Sequence, residues 1–199
     1  NDIEAIRHKV DLLIVSIHWG VEYTHKPTNE QREIAHFLAN LGVDIVIGNH
    51  PHAIQPIERI GNTLIFYALG NFLSGQVGLQ KRVGLMACVQ IDKIHNARES
   101  TQESTNIFSI FSSPKSMIMQ KPMRESRFYK RFPKKVKIKN VKADLVYTYY
   151  EQNPNNSPKM SGFKIYPFLL LNDELLPNYQ QIYKQYLQII KQDWITIGL

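Results

Sequence analysis

Two short runs of almost uninterrupted apolar residues, at 12–17 in DLLIVSIHWG and at 44–48 in DIVIGNHPH, stand out from a chain of otherwise mixed polarity. Apolar runs of this length bounded by polar residues and glycine fit strands of a parallel sheet covered on both faces. Between them, THKPTNEQREIAHFLANLG predicts a helix. Thr28 and Gln31 have capping-box spacing, and Pro27 discourages an earlier start. Ile34, Phe37, Leu38 and Leu41 make an i, i+3, i+4, i+7 stripe that ends at Gly42, a residue suited to a left-handed stop. Strand, helix, strand in this order predicts a βαβ unit whose two strands are neighbours or near-neighbours and run parallel.

Beyond His52 the period changes. AIQPIERI, then Gly61-Asn62, then TLIFYALG reads as a β-hairpin about a two-residue turn. RVGLMACVQI (82–91) predicts a further strand, of antiparallel kind. The stretch 95–106 is polar and reads as a loop. KKVKIKNVKADLVYTYY alternates charged and apolar side chains, as a half-exposed strand or hairpin does, and lysines along one face suit a guarded edge. FKIYPFLLL predicts one more strand. Residues 177–192 form a terminal helix with Tyr179, Ile182, Tyr183, Tyr186 and Ile190 on one face, and residues 1–10 read as the end of a helix. The class is therefore α/β (α+β): a parallel βαβ unit, antiparallel strands after it, and a less regular C-terminal region. The expected division is 1–94, a polar linker at 95–116, and 117–199.

Composition narrows this picture little. The 199 residues are 43% hydrophobic and 21% charged, values ordinary for a folded domain. No apolar run approaches the roughly 18 residues of a membrane span. The single cysteine, Cys88, lies in an apolar strand and allows no internal disulfide. Charge changes more. Eleven Lys or Arg against one acid give residues 114–142 a charge of +10, whereas the whole chain carries +7, so the remainder is at −3. Such a block is either a solvated face or a contact for a polyanion. Phe128, Tyr129 and Phe132 interleave with its cations in a way compatible with single-stranded nucleic acid, the weakest of the readings.

The candidate chemistry lies at the strand ends. In open α/β sheets, ligands bind outside the carboxyl ends of the strands, and there the first strand delivers His18 and the second His50 and His52. An isolated His-x-His is more often structural than metal-binding. Two histidines held extended by Pro51, after Gly48 and beside a second strand ending in histidine, point instead to an imidazole metal site. His8, His25, His36 and His95 sit in polar surroundings or off the apolar stripe. No G-x-G-x-x-G or Walker phosphate loop occurs, and Ser74 lies outside a nucleophile elbow.

HWGVEY (18–23), GNHPHAIQPIE (48–58) and YALGNF (67–72) resemble, in order and spacing, the signature blocks of the CapA family of poly-γ-glutamate capsule biosynthesis proteins. The resemblance covers residues 11–75 and implies a partial calcineurin-like metallophosphoesterase fold. It implies His18, His50 and His52 as metal ligands, with His18, Glu22 and His50 at the reacting centre. It implies Trp19, Tyr23 and Asn71 as substrate-facing residues, Glu22 also being suited to a carboxylate behind the metal. The cofactors implied are divalent ions (manganese, iron or zinc), two in the full-length protein. The superfamily's early Asp, Gly-Asp and Asn-His ligands have no counterpart here and are expected upstream of Asn1, so the chain alone is expected to bind metal poorly. The implied partners are poly-γ-glutamate or a phosphoester substrate and membrane-associated capsule synthesis proteins. The implied location is the membrane or the extracytoplasmic side. The activity implied is metal-dependent hydrolysis; a non-catalytic accessory subunit of the same machinery is the alternative.

Overall fold

The computed structural model describes residues 2–94, 104–107, 135–153, 155 and 159–199. The expected linker other than 104–107, the aromatic residues 128, 129 and 132, and the basic block up to residue 134 lie outside the described residues.

The first sheet is built as the apolar pattern requires. Helix α1 (Asp2–Arg7) leads into β1 (Ile14–His18), α2 (Asn29–Asn40), β2 (Ile45–Asn49), β3 (Ile57–Ile60) and β4 (Thr63–Phe66). The strand order is β1-β2-β4-β3, with β1, β2 and β4 parallel and β3 antiparallel to β4 about the Gly61-Asn62 turn. The capping box on α2 forms in both directions. The Gln31 N–H donates to Thr28 Oγ1 over 3.1 Å, and Gln31 Oε1 accepts from the Thr28 N–H over 3.0 Å. Gly42 takes φ 80° after the helix.

Successive side chains of β2 and β4 serve two different cores, because a strand alternates faces. Ile45, Ile47, Leu64 and Phe66 face the second sheet. Val46, Ile65 and Tyr67 face α2 through Ala35 and Leu38, together with Trp19. This double coverage explains why both strands read as unbroken apolar runs.

The second sheet joins β5 (Val83–Lys93), β6 (Ser104–Ile107), β7 (Val136–Gln152) and β8 (Met160–Pro167) in the order β6-β5-β7-β8, all antiparallel. The short β9 (Thr196–Ile197) runs parallel to β7. β5 precedes residues 95–134 and β7 follows them, so one sheet draws on both flanks of that stretch. The backbone of β6 is a strand within the stretch read as a loop.

β7 is one 17-residue strand, bulged at Asn140 (φ 46°), where two residues of β7 oppose one of β5. The bulge changes which parity faces inward. Val136 and Ile138 are core-facing before it, and Val141, Ala143, Leu145 and Tyr147 after it. β7 lies inside the sheet rather than at its edge, although β8 pairs with it only from Val146 onward. The predicted strand at 163–171 ends at Pro167. Residues 168–170 form a 3-10 turn that buries Phe168 and leaves Leu169 and Leu170 exposed. Helix α3 (Tyr179–Ile190) packs Tyr186 and Ile190 into the shared core.

One buried ion pair braces the first sheet. Arg7 Nη1 lies 2.7 Å from Asp44 Oδ2, with both side chains 1% exposed. The same carboxylate oxygen accepts the Leu13 N–H, and Arg7 Nη2 donates to the Asp11 carbonyl. α1 is thereby tied to the entry of both β1 and β2.

Candidate functional site

The carboxyl edge of β1 and β2 is set by a close approach that only glycine permits. Trp19 follows β1 and passes its indole across β2, where Nε1–H donates to the Tyr67 carbonyl over 2.8 Å and the ring stacks on Tyr67 at 5.7 Å. A Cβ on Gly48 would stand 2.0 Å from that carbonyl oxygen and 2.3 Å from Trp19 Nε1. Trp19 is thus a buried wall beneath the site, and its indole N–H is already committed.

The loop from β1 to α2 is locked by buried amides. Gln31 Nε2 donates to Gln55 Oε1 over 2.9 Å, and Gln55 Nε2 donates to the Thr24 carbonyl over 3.1 Å, with both glutamines essentially inaccessible. Gly20, at φ 84°, makes room for the Gln31 amide. The Tyr23 N–H donates to the Pro51 carbonyl over 2.7 Å, so the loop is stitched to the histidine turn. His25 Nδ1 lies 2.8 Å from the Ile54 carbonyl, and its ring meets Tyr186 of α3 edge-on at 5.3 Å.

On this frame the residues named from sequence gather at one edge. The rings of His18 and His50 are 4.3 Å apart and tilted by 44°; those of His50 and His52 are 6.3 Å apart. Tyr23 stacks on His52 at 5.9 Å. Glu22 Oε1 is 3.8 Å from His52 Nε2. Asn71 Oδ1 is 2.9 Å from His52 Nδ1. Burial pushes the His18 imidazole below its ordinary pKa, and repulsion from His50 and His52 adds to this, so the neutral, ligand-ready form is favoured.

The backbone departs from the extended His-Pro-His segment that the sequence suggested. His50 has φ 100° and His52 φ 55°, and Tyr23 opposite has φ 62°. Non-glycine residues in the left-handed region cost of order 1–3 kcal/mol each and persist where the surroundings enforce them. Here the enforcement is the Tyr23–Pro51 hydrogen bond and the burial of Pro51. The two imidazole rings lie 6.3 Å apart, tilted by 56°.

For a metal, donor chemistry and donor number give different answers. Imidazoles are apt ligands for manganese, iron or zinc, and His18 and His50 are close enough to share an ion. Among the described residues, however, no group of three or more His, Cys, Asp or Glu is arranged to hold one. His52 is turned toward Glu22 and Asn71 instead.

Sequence reasoning missed Lys81 and Gln76. The Lys81 ammonium sits over the Tyr23 ring at 4.4 Å, and its carbonyl accepts from Asn71 Nδ2 over 3.0 Å. Gln76 Oε1 is 3.1 Å from the same nitrogen. Neither belongs to a motif; only the fold brings them to the edge.

A parallel α/β sheet with histidines at its carboxyl edge, backed by an antiparallel sheet, is consistent with part of a metallophosphoesterase-like α+β fold. Residues 1–76 match the family described as bacterial capsule synthesis protein PGA_cap, which is 76 of the 199 residues of this chain. The chain is 45% identical over 73 residues to the PGA biosynthesis protein CapA of Bacillus subtilis (strain 168), covering 37% of this chain and 19% of that protein. It is 42% identical over 66 residues to the capsule biosynthesis protein CapA of Bacillus anthracis, covering 33% and 16%. It is 32% identical over 69 residues, 35% and 18% of the two chains, to a probable polyglutamine synthesis accessory protein of Mycobacterium tuberculosis. The matches thus span less than a fifth of the length of these curated relatives.

Proposed function

We propose that the chain takes part in the synthesis or export of an anionic capsule polymer, poly-γ-glutamate, and that its histidine edge is the imidazole side of a divalent-metal hydrolytic centre. The observation that carries this reading is a pair of adjacent parallel strands, β1 ending in His18 and β2 followed directly by His50, with the two rings 4.3 Å apart. His18 and His50 would hold the metal, joined by His52, and carboxylate ligands from beyond this chain would complete the centre. A bound divalent ion supplies an activated water and a Lewis acid for the attacked bond. The chain's own groups do the rest. Glu22, 45% exposed, faces His52 and can accept a proton at Oε1. Tyr23, with the Lys81 ammonium over its ring, presents a cation beside the edge for a carboxylate or phosphate chain. Trp19 and Gly48 fix the strand spacing beneath.

A second reading is a non-catalytic accessory subunit of a membrane-associated synthesis complex, supported by the 32% identity over 69 residues to a protein described as a probable polyglutamine synthesis accessory protein. His50→Ala in the full-length protein separates the two. Loss of polymer production at unchanged protein level supports the catalytic reading, and full retention overturns it. For this chain alone, calorimetric titration with manganese or zinc is expected to give weak binding of at most one ion; tight binding of two ions would contradict the incomplete ligand set.

A further inference from the structure

We propose that Asn71 is a positioning residue that fixes the tautomer of His52, holding its proton on Nδ1 and leaving the Nε2 lone pair open at the site edge. The lock starts at a main-chain carbonyl. The Lys81 carbonyl can only accept, and it stands 3.0 Å from one end of the Asn71 amide, so that end is the NH2 group. Ser74 Oγ and Gln76 Oε1, each 3.1 Å from the same nitrogen, agree with this orientation. Ser74 Oγ also accepts the Gln76 N–H over 3.1 Å, which ties the 74–76 turn to the amide.

The other end of the amide, Oδ1, therefore faces His52 Nδ1 at 2.9 Å. An amide oxygen has no proton to give, so His52 Nδ1 must donate. A neutral imidazole has a single N–H, and Nε2 is then the acceptor. Glu22 Oε1, at 3.8 Å from Nε2, is beyond hydrogen-bond distance and leaves that lone pair free for a cation or a proton donor. Tyr23 stacked on the ring limits its rotation. Two side-chain hydrogens serving three oxygens also mean that the Asn71 amide has no donor left for a substrate. Orientation of a ring by a partner on its far nitrogen is how imidazole ligands are commonly prepared.

The purpose assigned to this lock rests on the metal reading above, but the lock itself is measurable without metal. The probe is the metal-free chain labelled with 15N-histidine, at pH 8 with chelator, read by two-bond 1H–15N correlation, with His52 assigned by difference from His52→Gln. Wild type is expected to show His52 wholly in the Nδ1–H form. Asn71→Asp, which keeps an acceptor, should retain that form, whereas Asn71→Leu should release the ring to a mixture or to the Nε2–H form. An Nε2–H or averaged signal in wild type overturns the proposal, as does an unchanged tautomer in Asn71→Leu. If the leucine variant fails to fold, wild type and Asn71→Asp decide: both in the Nδ1–H form uphold the lock, and a switched tautomer in either sinks it. Calorimetry with manganese on the full-length protein judges the metal reading separately; a locked His52 in a protein that binds no ion leaves the lock standing and removes its purpose.

Discussion

Gly48→Ala tests whether the carboxyl edge is built on the crossing of Trp19 over β2. The added methyl would meet the Tyr67 carbonyl oxygen at 2.0 Å and Trp19 Nε1 at 2.3 Å. The first neighbour is backbone in the core of a parallel sheet, so relief needs β2 and β4 to part by more than an ångström or the indole to leave. Leaving orphans the buried Nε1–H and the Tyr67 carbonyl, at about 1–3 kcal/mol for each group. Partial relaxation adds an overpacking cost of similar size. Together these predict a loss of about 3–5 kcal/mol, a large share of the roughly 5–15 kcal/mol of a typical domain. Urea unfolding followed by tryptophan emission measures it. Trp194, 37% exposed, is best replaced by Phe in every variant so that the buried Trp19 reports alone. Trp19→Phe combined with Gly48→Ala, followed by far-ultraviolet circular dichroism because it then holds no tryptophan, should recover only part of the loss, because the carbonyl clash remains. A Gly48→Ala protein within about 1 kcal/mol of wild type, with unshifted Trp19 emission, would refute the reasoning.

Arg7→Met removes the guanidinium from the Asp44 carboxylate, buried at 1% exposure, and should cost about 3–5 kcal/mol in chemical denaturation; a loss below about 1 kcal/mol would mean that the pair is not buried in solution. Gln55→Leu removes the acceptor of the Gln31 Nε2–H and the donor to the Thr24 carbonyl, so hydrogen exchange at the Gln31 and Arg32 amides should quicken with a loss of about 1–3 kcal/mol; unchanged protection would count against the amide chain. Burial pushes the Tyr183 phenol up to about 12, with its hydrogen bond to Asp144 and the charge of that carboxylate adding to the rise. The folded state then holds the proton more tightly than the unfolded one, so stability is full below pH 10 and falls between pH 10 and about 12. Tyr183→Phe should make that limb shallower without removing it, because burial also raises the Tyr67, Tyr147 and Tyr186 phenols, and an unchanged slope would show that Tyr183 does not contribute to it.

The first sheet was legible because its signals are local. Apolar runs, a capping box and a Gly-Asn turn each specify an element within a few residues, and the βαβ rule supplies the parallel pairing. The left-handed backbone at His50 and His52 was not legible, since Pro51 suggests extension. The turn arises from long-range ties, the Tyr23–Pro51 hydrogen bond above all. The bulge in β7 was legible in principle. Apolar positions run 136, 138 and then 141, 143, 145, and that phase break at Asn140 is what a bulge leaves in a sequence. Arg7 gave no sign, because a single arginine at a helix end usually lies in water, and only the fold reveals that Asp44 waits beneath it.

The family match ends at residue 76, yet the site does not. Asn71 owes its orientation to the carbonyl of Lys81, and Tyr23 lies under the ammonium of the same residue. Lys81 is held in place from the second sheet. Its neighbour Arg82 is clasped between Tyr147 and Tyr150 at 4.5 and 4.2 Å and donates through Nε to the Thr148 carbonyl. Gly84 lets β5 approach so closely that a Cβ there would stand 2.4 Å from the Asn71 carbonyl oxygen. On the far side, His25 rests on Tyr186 of α3. The matched segment supplies the imidazoles, and the remainder of the chain supplies the geometry in which one of them is held. Divergence outside the matched segment therefore bears on the chemistry at the histidine edge as directly as a change of motif residue, because a displaced Lys81 carbonyl frees the Asn71 amide to turn, and a turned amide reverses the hydrogen-bonding sense at His52.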